Sequence, residues 1–194
     1  MSLNHDAVFT GDGEWQGDPT EIALVEFTED QFGNKKELDK IIEKYPRKAE
    51  LPFDSDRKSM TTIHKMGDKY IAIVKGATEN IADILTPGHN HENIKEKNLQ
   101  LASNGIRVLA YGYRFLDEIP EPFTYEAVEK DLKFAGLVGM IDPPREEAKQ
   151  AIKECQTAGI HSVMITGDHK ETASAIAKEL GILSKNDLVV TGKE

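Results

Sequence analysis

Residues 60–65 and 69–75 are two short runs with β-branched centres, and Gly67-Asp68 lies between them. A Gly-Asp pair separating two such runs is a hairpin turn signal, so the runs are expected to pair as antiparallel strands. Residues 49–53 read as a third strand just before them. This part of the chain is therefore expected to build an antiparallel sheet, and a purely helical or purely parallel architecture is excluded for it.

Helices are expected around that sheet. Leu38, Ile41, Ile42 and Tyr45 make one apolar face over residues 35–45, and Pro46 stops the pattern. Pro19 opens a short helix that leads into the apolar run at 22–27, with Glu21 in its first turn. An acidic residue there is explained equally by the helix dipole. Residues 78–85 and 92–103 read as two further helices, the second capped by Asn104-Gly105. Residues 106–115 read as a strand, and residues 4–17 and 118–123 as loops.

The last third changes character. Residues 133–141 read as a strand ended by Asp142-Pro143-Pro144-Arg145, and residues 146–158 as a helix capped by Gly159. An apolar run at 160–165 reads as a buried strand, Thr166-Gly167-Asp168 as a turn, and residues 169–180 as a helix with Asp168 at its N-cap. Residues 188–190 read as one more strand. The order strand–helix–strand implies a parallel sheet, so a domain boundary is placed between residues 142 and 143. A strand feeding a turn at a helix N-terminus is also an anion site in the making, although an ordinary strand–helix unit looks the same.

The formal net charge of -10 argues against nucleic acid as a partner. A single cysteine, Cys155, rules out an internal disulfide framework and fits a reducing compartment. No apolar run is long enough to span a bilayer. His89-Asn90-His91 has no third ligand nearby and is read as loop, so no metal site is assigned.

Two places carry candidate chemistry. Lys75 ends an apolar strand and is followed by Gly76, which points to a cation held in a pocket. Phe53 precedes the basic pair Arg57-Lys58, a combination able to stack a base and hold a phosphate. A charged loop beside a core phenylalanine is the plainer account of the second.

Six motifs in order, GDPTEIAL at 17–24, FDSDRKSM at 53–60, VKGA at 74–77, IRVLA at 106–110, GMIDPPR at 139–145 and MITGDHKETA at 164–173, resemble the cytoplasmic part of cation-transporting P-type ATPases, the bacterial calcium pumps in particular. The resemblance covers most of the chain. It implies an α+β nucleotide-binding domain over residues 1–142, an antiparallel sheet flanked by helices without its first strands. It implies a partial α/β domain of haloacid-dehalogenase-like type, part of the phosphorylation domain, over 143–194. By the same resemblance Phe53 stacks on adenine, Glu21 lies beside the base, and Lys58, Lys75 and Gly76 line the pocket. Arg107 approaches the phosphates and Leu109 packs near the sugar or base. Thr166, Gly167 and Asp168 meet the γ-phosphate, and Asp142, Pro143, Pro144 and Arg145 form the hinge. ATP is the implied ligand, with Mg2+ in the whole enzyme. The implied partners are the transmembrane, actuator and remaining phosphorylation parts of one pump, and the implied setting is the cytoplasmic side of a bacterial plasma membrane.

The chain also departs from the family pattern. It has neither the DKTGT sequence that carries the phosphorylated aspartate nor the GDGxND sequence that helps hold magnesium. The expectation is ATP binding without turnover. Calcium pumps of animal muscle carry Arg where Ser55 stands, and Arg57 is the neighbouring cation that could take its place. Two other readings remain: a haloacid-dehalogenase-type phosphatase, which needs an early DxD motif that is not found before Glu21, and a nucleotide-sensing module without catalysis.

Overall fold

The computed structural model describes residues 1–141, 145–166, 170–184 and 187–191. The chain divides into two compact units, Met1–Glu92 with Leu109–Val138, and Asn93–Val108 with Gly139–Glu194.

The first unit is built on a five-stranded antiparallel sheet in sequence order: β3 (Arg47–Asp54), β4 (Ser59–Met66), β5 (Lys69–Gly76), β6 (Arg107–Leu116) and β7 (Lys133–Met140). The expected hairpin between β4 and β5 is present, in register from Ser59 opposite Gly76 to Met66 opposite Lys69, and its turn uses Gly67 at φ 63. Such a φ is cheap only for glycine. Residues 59–64 of β4 are all buried, as a central strand covered on both faces must be.

Alternation along the strands sorts the two faces. Ile63 and Ala72 point to one face, where they pack with Leu116 and Val128, the last from the short helix α5 (Tyr125–Val128). Lys75 stands between Met60 and Tyr111 in the register, on the other face. There Thr62 Oγ1 donates to Leu3 O (3.2 Å) and Asn4 Nδ2 donates to Ile73 O (2.7 Å), so the first residues lie against this side. Helices α1 (Pro19–Phe32) and α2 (Lys35–Lys44) bring Val25 and Leu38 together with Ala7 in a second small core. Helix α3 (Thr78–Asp83) follows β5 directly.

The first residues correct one expectation. In place of a plain loop over 4–17, β1 (Val8–Phe9) and β2 (Trp15–Gln16) pair antiparallel. Helix α1 also runs past the apolar stretch that announced it, to a C-cap at Gly33 with φ 91. Strand β7 is corrected too. It closes the antiparallel sheet beside β6 and does not begin a parallel one.

The second unit contains α4 (His91–Ala102) for nearly all its length, α6 (Glu146–Thr157) and α7 (Lys170–Glu179). Gln156 Nε2 donates to Gly181 O (2.8 Å), tying the end of α6 to the turn after α7. The strands expected at 160–165 and 188–190 are not formed. Val163 and Ile165 are 80% and 93% exposed, and Leu188 is 90% exposed. A parallel strand needs a neighbour for its backbone groups, and among the described residues none pairs with these runs. Among the described residues no helix is long and apolar enough to cross a membrane.

Candidate functional site

The apolar run of β5 ends in a charge. Lys75 is 7% exposed, and its ammonium forms an ion pair with Glu21 and donates to Asn4 O (3.1 Å). Local sequence places Glu21. Asp18 caps α1 by accepting from Thr20 N (2.8 Å), Pro19 occupies the first turn, and Glu21 follows two residues later. The second carboxylate oxygen of Glu21 accepts from Asp6 N (2.8 Å). A cation this buried is tolerable because a charge and a carbonyl both face it.

Two buried polar atoms around this pair have no protein partner, the Asn4 side-chain oxygen and the Tyr111 hydroxyl. Tyr111 stands directly across from Lys75. Burial, and then the Glu21 carboxylate, push its phenol well above the usual range, so it stays a donor at neutral pH. Tyr111 also walls an apolar groove of about 350 Å3 with Ile71, Ile73, Tyr113 and Leu137. The place combines a cation, a carboxylate, a free phenol donor and a free amide acceptor against an apolar wall.

The turn between β3 and β4 carries the second cluster. Asp54 Oδ1 accepts from the backbone of Asp56 (3.0 Å) and Arg57 (2.9 Å), and the Arg57 bond is the main cause holding its carboxyl below the usual range. Lys58 closes the turn at φ 51. Its carbonyl accepts from Ala77 N (3.0 Å), and a Cβ on Gly76 would stand 2.5 Å from that same oxygen. Gly76 is therefore required by close approach, and through it the backbones of Lys58 and the residue after Lys75 are brought together. Phe53, in the register irregularity between Leu51 and Asp54, is 64% exposed, so it is not the core residue of the plainer account.

Arg57 corrects an expectation. It is not a spare cation for the pocket: its guanidinium pairs with Glu129, donates to Pro52 O (2.8 Å) and Ser59 Oγ (3.3 Å), and its side chain is 17% exposed. A guanidinium desolvated on a carboxylate is not available to a second anion.

The other expected residues are placed as follows. Leu109 is half-buried and on the Lys75 face of the sheet by alternation. Arg107 opens β6, exposed, and is counted with the second unit. Thr166 is exposed in the second unit, and Arg145 is exposed at the N-cap of α6, where its side chain makes no cap bond. Gly167, Asp168, Asp142, Pro143 and Pro144 lie outside the described residues. Asn4, Tyr111 and Glu129 join the site without having been expected. Among the described residues no three His, Cys, Asp or Glu side chains are grouped to hold a metal ion.

Comparison with known proteins identifies the family of this helix-flanked antiparallel sheet. Residues 1–147 match the family described as the P-type ATPase cytoplasmic domain N, and the chain belongs to that family. It is 36% identical to a calcium-transporting ATPase of Listeria monocytogenes over 99% of its own length. It is 41% identical to one of Bacillus subtilis over 98% of its length. It is 36% identical to the human potassium-transporting ATPase alpha chain 2 over 90% of its length. The chain spans 23%, 22% and 19% of those relatives.

Proposed function

We propose that the first unit binds ATP for a calcium-type P-type pump and presents its γ-phosphate to an aspartate that this sequence does not contain. The observation that supports this best is the buried Lys75–Glu21 pair beside the Lys58–Gly76 backbone contact, with Phe53 left exposed nearby in sequence. In this reading Phe53 stacks on the base, Glu21 and Lys75 face its polar edge, and Leu109 packs against the sugar or base. Lys58 and Arg107 answer the phosphates with charge. Phosphoryl transfer is mostly positioning and charge neutralisation, so a domain that only holds the nucleotide is a sensible division of labour.

Residues 143–194 are then part of the phosphorylation domain, with residues 142–145 as hinge and Thr166, Gly167 and Asp168 toward the γ-phosphate. Mg2+ would reach such an enzyme with the nucleotide. Calcium as cargo rests on the names of the bacterial relatives.

Calorimetry with ATP tests the reading. The expected dissociation constant is roughly 0.1–1 mM, since about 4 kcal/mol already corresponds to the millimolar end. Lys75→Ala and Phe53→Ala should each abolish measurable binding. If the unsubstituted chain binds and both variants bind equally well, the pocket lies elsewhere.

A further inference from the structure

We propose that Glu129 is a positioning residue for the nucleotide site: by holding Arg57 it fixes the turn that carries Phe53 before it and Lys58 at its end. The inference rests on the nucleotide-site reading above.

Glu129 is 8% exposed, an expensive place for a carboxylate. It is fully answered there. One oxygen accepts from Arg57 Nη1 and from Thr61 Oγ1 (2.6 Å), and the other accepts from Ser59 Oγ (3.2 Å). Arg57 in turn donates to Pro52 O (2.8 Å), the residue before Phe53, and to Ser59 Oγ, the residue after Lys58. Its guanidinium also lies 5.6 Å from the centre of the Tyr125 ring. One side chain thus ties down both ends of the turn.

The anchor behind it is buried. Glu129 directly follows α5, whose Val128 is completely buried against Ile63 and Ala72. Ser59 and Thr61 alternate with Met60, so the Glu129 network sits on the sheet face opposite Lys75. A ligand on the Lys75 face is therefore out of reach of the Glu129 carboxylate. Any effect of Glu129 on that ligand passes through the groups it holds, Arg57 in the turn and Ser59 and Thr61 on β4, which makes it a positioning group and not a contact.

The test is ATP calorimetry on the chain and its Glu129→Gln, Arg57→Gln and doubly substituted forms, with folding checked by circular dichroism and the Phe53 ring followed by NMR. Each single variant is expected to stay folded and lose about tenfold in affinity, and the double variant to lose no more than either, as coupled partners do. The Phe53 ring signals should shift in both single variants but not in Lys75→Ala. Should a single variant fail to fold, the doubly substituted form decides, because it removes both charges and leaves neither buried without its partner. Folded single variants that bind like the parent, or losses that simply add, overturn the inference while leaving the nucleotide site standing. A parent chain that binds no ATP overturns both.

Discussion

Lys75 is a buried cation whose environment depends on one carboxylate. Removing Glu21 would leave an uncompensated charge next to the phenol of Tyr111, and breaking such a pair is far costlier than its net worth suggests. Glu21→Ala should destabilise the chain by about 3 kcal/mol in urea unfolding, whereas Glu21→Gln, which keeps the bond to Asp6 N available, should cost less. Gly76→Ala should cost about 2 kcal/mol, because its new methyl would lie 2.5 Å from a backbone oxygen that cannot swing aside. His5 and His64 add a pH dependence to the stability. Burial is the largest cause pushing both below their ordinary value of 6.5. At these two sites the native state binds fewer protons than the unfolded one, so their contribution to stability is full above pH 6.5 and declines as pH falls below it. Urea midpoints at about pH 7.5 and about pH 5.5 should show that drop, and His64→Gln should shrink it. At this scale the sequence was uneven evidence. Lys75 announced itself as a charge at the end of an apolar strand before a glycine. Glu129 did not, since it stands in sequence among Glu126, Lys130 and Asp131, and only the fold turns it inward.

Elements were legible where a period could be counted. The β4–β5 hairpin needed only two runs and a Gly-Asp turn, and α2 only its repeating apolar face. The β1–β2 pair escaped because strands of two residues have no period. Residues 160–165 misled for the opposite reason: the pattern suits a strand, but pairing is a property of neighbours and not of the run itself. Hydrogen exchange should display the contrast. Amides of β4 and β5 are expected to be among the most protected, while those at 160–165 should exchange at close to unprotected rates.

On the scale of the whole molecule, binding and catalysis are separable. The chain carries the residues proposed to hold the nucleotide but no DKTGT sequence, so incubation with γ-labelled ATP should leave no acid-stable phosphate on it. An acid-stable label would mean that some other side chain accepts the phosphoryl group. The bare runs of the second unit have a further effect, one that concerns many copies of the chain rather than one. Ile160, Val163, Ile165, Leu188 and Val190 are all exposed, and the segment 160–165 is β-branched at three positions and free of proline, glutamate and lysine. Such a segment is a template for intermolecular cross-β pairing. Concentrated solutions should therefore self-associate through this stretch, and a charge introduced at Val163 should raise the solubility limit without disturbing the five-stranded sheet.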